Sequence, residues 1–267
     1  TIRRAVRDYL NGGARKQRVV TKYGDISNWD VSNVTTMGFI FNDATSFNKP
    51  LNKWNVSNVT NMCSMFCGAT SFNQPLNKWN VSNVTNMNGM FYYAESLNQQ
   101  SFNQPLNNWD VSNVRYMGGM FWGARSFNQP LNKWNVSNVE SMHNMFHRAR
   151  SFNQPLNNWN VSNVRDMEDM FTDTPFNQPL NNWNVSNVTN MLGMFSNATS
   201  FNQPLNNWNV SNADMAWMFH DAHSFNQPLN NWKVSKVTNM DSMFDGASSF
   251  NHPLHAPWYH DEESDSE

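Results

Sequence analysis

Residues 72–87 read FNQPLNKWNVSNVTNM, and nearly the same letters return along most of the chain. The tryptophan of this stretch marks the register of a repeat. It recurs at intervals of 24 to 30 residues, most often 25, at Trp29, Trp54, Trp79, Trp109, Trp134, Trp159, Trp183, Trp208 and Trp232. Self-similarity at this period is typical of a solenoid built from stacked repeats. We number the repeats one to nine by these tryptophans.

The apolar positions change their period within each repeat. In repeat three, Leu76, Trp79, Val81 and Val84 fit a short strand from which Trp79 and Val81 point inward. The apolar residues of segment 87–94 lie three to four residues apart, which predicts one face of a short helix or 3-10 turn. The sequence therefore predicts an α/β repeat solenoid that is leucine-rich-repeat-like. It has a parallel strand ladder of about nine coils of 24 to 30 residues, with short helical or 3-10 turns on the opposite side.

A single repeat cannot bury enough apolar surface to fold alone. About nine apolar groups at roughly 2 kcal/mol each stand against at least roughly 1 kcal/mol of backbone entropy per residue. Neighbouring repeats must therefore stabilise one another, and both ends need caps. We predict an N-terminal capping helix and basic loop at 1–22, a nine-coil solenoid at 23–254, and a C-terminal cap with an acidic tail at 255–267. The second end is predicted to be closed by three apolar residues, Leu254, Trp258 and Tyr259.

The composition of the 267 residues excludes several classes of protein. Charged residues make up 14% of the chain, against about 25% in typical soluble domains, while 47 residues are asparagine. The net charge of −2 and the pI of 6.4 argue against a dedicated nucleic-acid binder, and we read the basic first 22 residues as an exposed cap. No apolar run is long enough to predict a membrane span. Two cysteines leave the redox compartment open.

The repeat resembles the BspA-like leucine-rich-repeat family, in its branch of proteins of unknown function. The residues that carry the resemblance form the pattern F-N-Q-P-L-N-x-W-[ND]-V-S-N-V-T-x-M-x-x-M-F, over about residues 23–254. The resemblance implies a bacterial surface protein or lipoprotein, for which adhesion is the usual proposal, and no catalytic residues. Similar arrays occur in marine protists and large DNA viruses, whose opening resembles residues 1–35 here, including Tyr23-Gly-Asp-Ile. No lipobox or wall-anchor motif is present in this sequence.

The localisation follows from the resemblance and from the sequons. The resemblance favours a cell-surface or secreted protein, or a virion or cytoplasmic one if the source is a virus or protist. Sequons such as those at Asn55 and Asn80 fall inside the predicted strands of adjacent repeats. Attached glycans would crowd a stacked face, so a eukaryotic secretory route is disfavoured.

Two polar rows flank the tryptophans. One row is asparagine in most repeats, as at Asn55 and Asn80, and the other is serine, as at Ser57 and Ser82. We expect outward ladders in which these side chains satisfy one another between repeats. A flat polar array that orders water or binds a glycan is the alternative.

The residues that vary among repeats follow each first methionine and each Met-Phe pair, on the turn-side surface. In repeats three to five these positions and their neighbours are unusually aromatic and basic, beside an insertion at 96–100. Such residues are enriched in interaction hot spots, and insertions often mark the binding face. The candidate partner-binding residues are Tyr92, Tyr93, Tyr116, Trp122, His147 and Arg148. Neutral variation on a solvent-facing surface is the alternative interpretation.

Other reactive or charged residues give weaker signals. Cys63 and Cys67, and the histidine pairs His143 with His147 and His220 with His223, lack further ligands nearby in sequence, so no metal site is predicted. Mixed charges, among them Arg115, Glu140 and Arg165, indicate solvated pairs between repeats rather than a phosphate groove. No nucleophile, Walker or Rossmann motif occurs. We therefore expect neither cofactor nor enzymatic activity.

The leading hypothesis is a non-enzymatic repeat scaffold for protein–protein interaction or adhesion through the variable turn-side surface. Its partner would be a receptor, matrix or coat protein, without specific nucleic-acid binding. The alternative is an architectural component of a large-virus particle, such as a coat, fibre or capsid-associated protein. End-to-end or homo-oligomeric association fits that alternative.

Overall fold

A computed structural model describes residues 1–94 and 102–260 of the chain. Two helices open it, α1 at Ile2–Leu10 and α2 at Gly13–Tyr23, followed by a 3-10 turn at Ile26–Asn28. A short helix, α3, lies near the other end at His252–His255. The repeats between them consist of turns and extended segments joined by isolated parallel bridges.

The bridges connect the same position of successive repeats, the residue before the first methionine. They run in one series through Thr36, Asn61, Asn86, Tyr116, Ser141, Asp166, Asn190 and Asp214. Four alternate backbone amides that follow each bridge position donate to the next repeat. In repeat two the donors are Met62, Ser64, Phe66 and Gly68, and the acceptors are the carbonyls of Asn86, Asn88, Met90 and Tyr92. Successive repeats are therefore hydrogen-bonded in register.

The predicted strand does not lie where the bridges form. Segment 76–84 contains turns, because the amide of Trp79 donates to the carbonyl of Leu76 and the amide of Val84 to that of Val81. These local bonds use groups that a strand ladder would need. The predicted helical stretch 87–94 is a series of turns instead, since Gly89 and Tyr93 have φ of 61° and 46°, which interrupts a right-handed helix. Assignment to a leucine-rich-repeat-like solenoid stays a prediction.

The apolar columns of the repeats form one continuous core. Trp79, Val81, Met87 and Phe91 are each at most 4% exposed. Phenylalanine rings stack both within a repeat and between repeats, as shown by Phe91, which lies 4.0 Å from Phe102 and 5.8 Å from the next ring in its column, measured between centroids. Core packing therefore continues from one repeat to the next.

From repeat two onward, each repeat tryptophan also makes a hydrogen bond to the repeat before it. The indole Nε1 of Trp79 donates to the carbonyl of Leu51 at 2.9 Å, and the indole of Trp134 donates to that of Leu106 at the same distance. The Leu51 carbonyl also accepts from the amide of Trp54, so the indole is its second donor, and the bond satisfies the buried indole N–H. A purely apolar ring at this position would lose the side-chain bond between the two repeats, while the carbonyl would keep its backbone donor.

The polar rows differ from the expected ladders. Asn55 and Ser57 bond within their own repeat, since the Asn55 Oδ1 accepts from both the amide and the hydroxyl of Ser57. The short reach of asparagine favours this local turn. The following asparagine makes the bond between repeats instead, as Asn58 Nδ2 donates to the carbonyl of Ser32 at 2.8 Å. Between-repeat pairing by the Asn55 and Ser57 rows was therefore the wrong prediction.

At the N-terminal end, α1 packs on the first repeat. Val6 and Tyr9 are buried, Tyr9 meets Trp29 edge-on at 5.8 Å, and the Arg3 guanidinium donates to the carbonyl of Gly38 at 2.8 Å. Helix α2 replaces the predicted basic loop. Gly12, with φ of 68°, separates the helices, and Gly13, with φ of 55°, begins α2, where good helix formers follow it.

At the other end, Trp258 stacks on Trp232 at 6.1 Å and donates to the carbonyl of Leu229, as the repeat tryptophans do. Tyr259 is buried, but Leu254 is 61% exposed and does not close the end. The predicted acidic tail falls largely on 261–267, outside the described residues, as does the insertion at 96–100. None of the helices in the described ranges has the length and apolar character needed to cross a membrane.

Candidate functional site

The turn-side surface has a restricted backbone. In every repeat, two residues have φ between 46° and 69°: the second after the first methionine and the second after the Met-Phe pair, which is Ile40-Phe41 in repeat one. Glycine, asparagine, aspartate and serine occupy most of these positions, as expected for left-handed backbone. Four larger residues are the exceptions, Phe39, Tyr93, Arg148 and Trp217. Half of the variable positions are thus constrained, and two of the candidate binding residues stand where a bulky side chain is disfavoured.

Four of the candidate residues form one aromatic cluster, which we define as Tyr92, Tyr93, Trp122 and His147. The Tyr92 ring lies edge-on to those of Tyr93 and Trp122, with centroids 4.6 and 4.8 Å away. The His147 ring lies 4.9 Å from that of Trp122. Register brings them together, because Tyr92, Trp122 and His147 occupy the same position of three successive repeats.

Glycines of repeat four support this cluster. A β-carbon at Gly123 would lie 2.6 Å from Cδ1 of Tyr93, so the tyrosine ring covers the glycine backbone. At Gly119 the nearest side chains are those of Trp122 and Tyr92. These glycines were not identified from the sequence. The sequence did contain a signal for them. Gly119 and Gly123 lie four residues apart, in the repeat that follows Tyr92 and Tyr93.

Arg148 lies beside the aromatic cluster and adds a positive charge to this surface. Its Nε donates to Asp173 Oδ2 at 3.1 Å, and a side-chain bond joins it to Tyr93. These two hydrogen bonds raise the pKa of the guanidinium. Asp173, which the sequence did not single out, therefore helps to position Arg148 against the tyrosine.

The interior of the cluster holds polar atoms without partners. Within the described part of the chain, Trp122 Nε1 and His147 Nδ1 are buried and make no hydrogen bond. Burial and the nearby Arg148 lower the pKa of His147 to about 4. Asp169 Oδ2 lies 4.0 Å from His147 Nδ1, and burial raises the pKa of that carboxyl. His147 is neutral at pH 7, so this contact is not an ion pair there.

Tyr116 lies apart from the aromatic cluster. It occupies the bridge position, paired with Asn86 and Ser141, and is 37% exposed. The Arg115 guanidinium lies over its ring, 5.8 Å from the centroid, and is hydrogen-bonded to Glu140. The structure thus separates Tyr116 from the five other candidate residues. Its column precedes theirs by about six residues along the turn.

The cysteines and the remaining histidines are dispersed on the turn surface. Cys63 and Cys67 are free thiols, and burial raises the pKa of Cys67. His143 bonds to Ser141 at 2.7 Å, while His220 stacks under Trp217 with ring centroids 4.9 Å apart. Among the described residues, no three His, Cys, Asp or Glu side chains come together so that they could hold a metal ion.

The hydrogen-bonded register and the shared columns define a protein of tandem repeats. The chain belongs to the family described as Mycoplasma protein of unknown function, DUF285, whose profile matches residues 14–101, 98–178 and 172–265. These three matches together span nearly all of the repeats. A search of curated proteins found no match to the chain.

Proposed function

We propose that this protein is a non-enzymatic scaffold that binds another protein through its turn-side surface. The site is the aromatic cluster together with Arg148. The proposal takes the stacked repeats as a leucine-rich-repeat-like solenoid. Adhesion, which the resemblance to the BspA-like family implies, is the role we propose for that binding.

The main support is the presence of Tyr93 and Arg148 at left-handed backbone positions. A side chain with a β-carbon costs about 1 to 2 kcal/mol there relative to glycine, and other repeats carry Gly68 and Gly123 in the same column. Strained residues that persist on a surface favour a functional role over neutral variation, and Tyr93 and Arg148 lie together, whereas Phe39 and Trp217 lie singly in repeats one and eight. Aromatic and arginine side chains are also the usual anchors of protein interfaces.

The geometry further supports a pre-organised surface. Tyr92 and Trp122 hold one another edge-on, and Gly123 seats the ring of Tyr93. Asp173 and Tyr93 fix the Arg148 side chain. Anchors held in this way lose little side-chain entropy when a partner binds.

The test replaces cluster residues by ones that other repeats carry at the same positions. The variant combines Tyr92→Ser, Tyr93→Gly and Trp122→Ser, following Ser196 and Gly68. Trp217→Ser, which removes an exposed aromatic outside the cluster and follows Ser64, is the matched control. Circular dichroism verifies that both variants are folded.

Affinity capture from the native source, followed by mass spectrometry, identifies proteins bound by the wild type. We expect a protein whose affinity, measured with the purified partner, falls at least about tenfold in the triple variant. The Trp217→Ser control should bind this partner with the affinity of the wild type. A partner bound equally by the triple variant contradicts the assigned surface, and recovery of particle components alone supports an architectural role instead.

A further inference from the structure

A polar groove crosses the middle repeats and shares no lining residue with the aromatic cluster. It encloses about 590 Å³. Its lining comes from two neighbouring columns of repeats three to six, namely Asn83, Asn113, Asn138 and Asn163 with Thr85, Arg115, Glu140 and Arg165. A second groove shares Asn163 and Arg165 with it and continues to Asn212. Together they form a continuous polar path along the repeats.

The asparagine column of this groove is a fixed array of acceptors. Asn113, Asn138 and Asn163 each donate through Nδ2 to a serine carbonyl of the preceding repeat, at 2.7 Å. That bond orients every carboxamide in the same way, and these asparagines are exposed. A carboxamide oxygen accepts up to two hydrogen bonds. The groove therefore offers evenly spaced acceptors to a ligand that carries hydroxyl groups.

The second column of the groove lining is threonine in some repeats and charged in the middle repeats. Thr60, Thr85 and Thr189 occupy it elsewhere, each with a hydroxyl bonded to the carbonyl of the preceding repeat. Repeats four to six carry Arg115, Glu140 and Arg165 instead. Arg115 is paired with Glu140. The side chain of Arg165 is exposed and, within the described residues, makes no hydrogen bond or ion pair.

The spacing and charge of the groove narrow the class of ligand. Backbone bonds of 2.8 to 2.9 Å join this column from repeat to repeat, which sets the spacing at about 4.8 Å. Side chains on one face of an extended peptide recur at about 6.6 Å and fall out of register with it. A nucleic acid requires several unpaired cations along its phosphates, and two of the three charged lining residues are paired together.

We infer that this groove binds a linear oligosaccharide that carries carboxylate groups. Sugar hydroxyls donate to the row of asparagine oxygens, and one carboxylate pairs with the Arg165 guanidinium. This ligand and surface are separate from the proposed protein partner and the aromatic cluster.

Titration calorimetry with a hexamer of β-linked mannuronate tests the inference. The variant is Arg165→Thr, which restores the residue that Thr189 provides in the next repeat and so keeps the fold. We expect the hexamer to bind the wild type, and the dissociation constant to rise at least about tenfold in the variant. The uncharged cellohexaose should bind wild type and variant with equal, weak affinity.

Two controls make the result specific. Hexaglutamate has the same charge on a peptide backbone and should bind at least tenfold more weakly than the hexauronate. Trp122→Ser, in the aromatic cluster, should leave saccharide binding unchanged, so failure of the protein-binding proposal is distinguishable from failure of this one. Absence of hexauronate binding, equal binding by Arg165→Thr, or equal binding of hexaglutamate overturns the inference.

Discussion

The ring of Tyr93 lies across the backbone of Gly123 in the next repeat, so close that a β-carbon there would be 2.6 Å from Tyr93 Cδ1. Gly123 also has φ of 69°. Two separate costs therefore oppose any larger residue, left-handed strain and displacement of the tyrosine.

Gly123→Ala should destabilise the protein by about 2 to 3 kcal/mol, of which about 1 kcal/mol is backbone strain. The remainder comes from moving the Tyr93 ring. In a Tyr93→Gly background only the strain should remain, at about 1 kcal/mol. Urea unfolding of the four proteins in this double-mutant cycle measures the difference. Equal costs of Gly123→Ala in both backgrounds would show that the two residues are not coupled.

The contact between Arg3 and the Gly38 carbonyl predicts how the first helix is held on the repeats. Arg3→Ala should lower the free energy of unfolding by about 1 to 2 kcal/mol, because a charge-assisted hydrogen bond is lost. Arg4, one residue further on, has a side chain that is 77% exposed and pairs loosely with Asp8 at 3.9 Å. Arg4→Ala should change stability by no more than about 0.5 kcal/mol. Similar losses in both variants would contradict a specific role for the Arg3 bond.

The columns of the core could be predicted from the sequence, and the path of the backbone could not. Trp79, Val81 and Met87 are buried as their spacing indicated. Apolar spacing reports which side chains face inward, but it does not report which backbone groups pair. The bridges form at Asn86, just after the segment predicted as a strand. Local turn bonds of Asn80 with Ser82 occupy that segment instead.

The sequence could indicate which candidate residues are neighbours only where they occupy the same position of adjacent repeats. Tyr92, Trp122 and His147 share one column, so adjacent repeats bring them together. Tyr116 occupies another position of its repeat. Its being aromatic, like Tyr92 and Trp122, gave no information on how far it lies from them. The left-handed positions were visible only as the glycines recurring in their columns, such as Gly89.

The indole bonds between repeats predict a cost for losing one indole nitrogen in the core. Trp159 Nε1 donates to the carbonyl of Leu131 at 3.0 Å, and its ring stacks on that of Trp134. Trp159→Phe removes the indole donor and leaves a small cavity, while the amide of Trp134 still donates to the Leu131 carbonyl, so we expect a loss of about 2 kcal/mol in urea unfolding. The same substitution at Trp217, which is 49% exposed, should cost less than about 1 kcal/mol. Comparable losses at the two sites would mean that the indole bond contributes little.

The buried imidazole of His147 predicts an acid-sensitive term in stability. Its pKa is lowered from 6.5 to about 4 in the folded protein, so the unfolded chain binds the proton more readily between these values. This contribution is complete above pH 6.5 and declines as the pH falls towards 4, by about 2 kcal/mol at pH 5. Asp169, whose pKa is raised by burial, acts in the opposite direction.

A comparison with His147→Thr isolates the histidine, because Thr172 occupies the same position in the next repeat and does not titrate. The carboxylates around the cluster remain in both proteins, so their effects cancel in the difference. The free energy of unfolding should fall between pH 7.5 and pH 5 by about 2 kcal/mol more in the wild type than in the variant. If both proteins lose the same stability over this range, the His147 imidazole is not held neutral by the cluster, and its unpaired Nδ1 must be accessible to a proton.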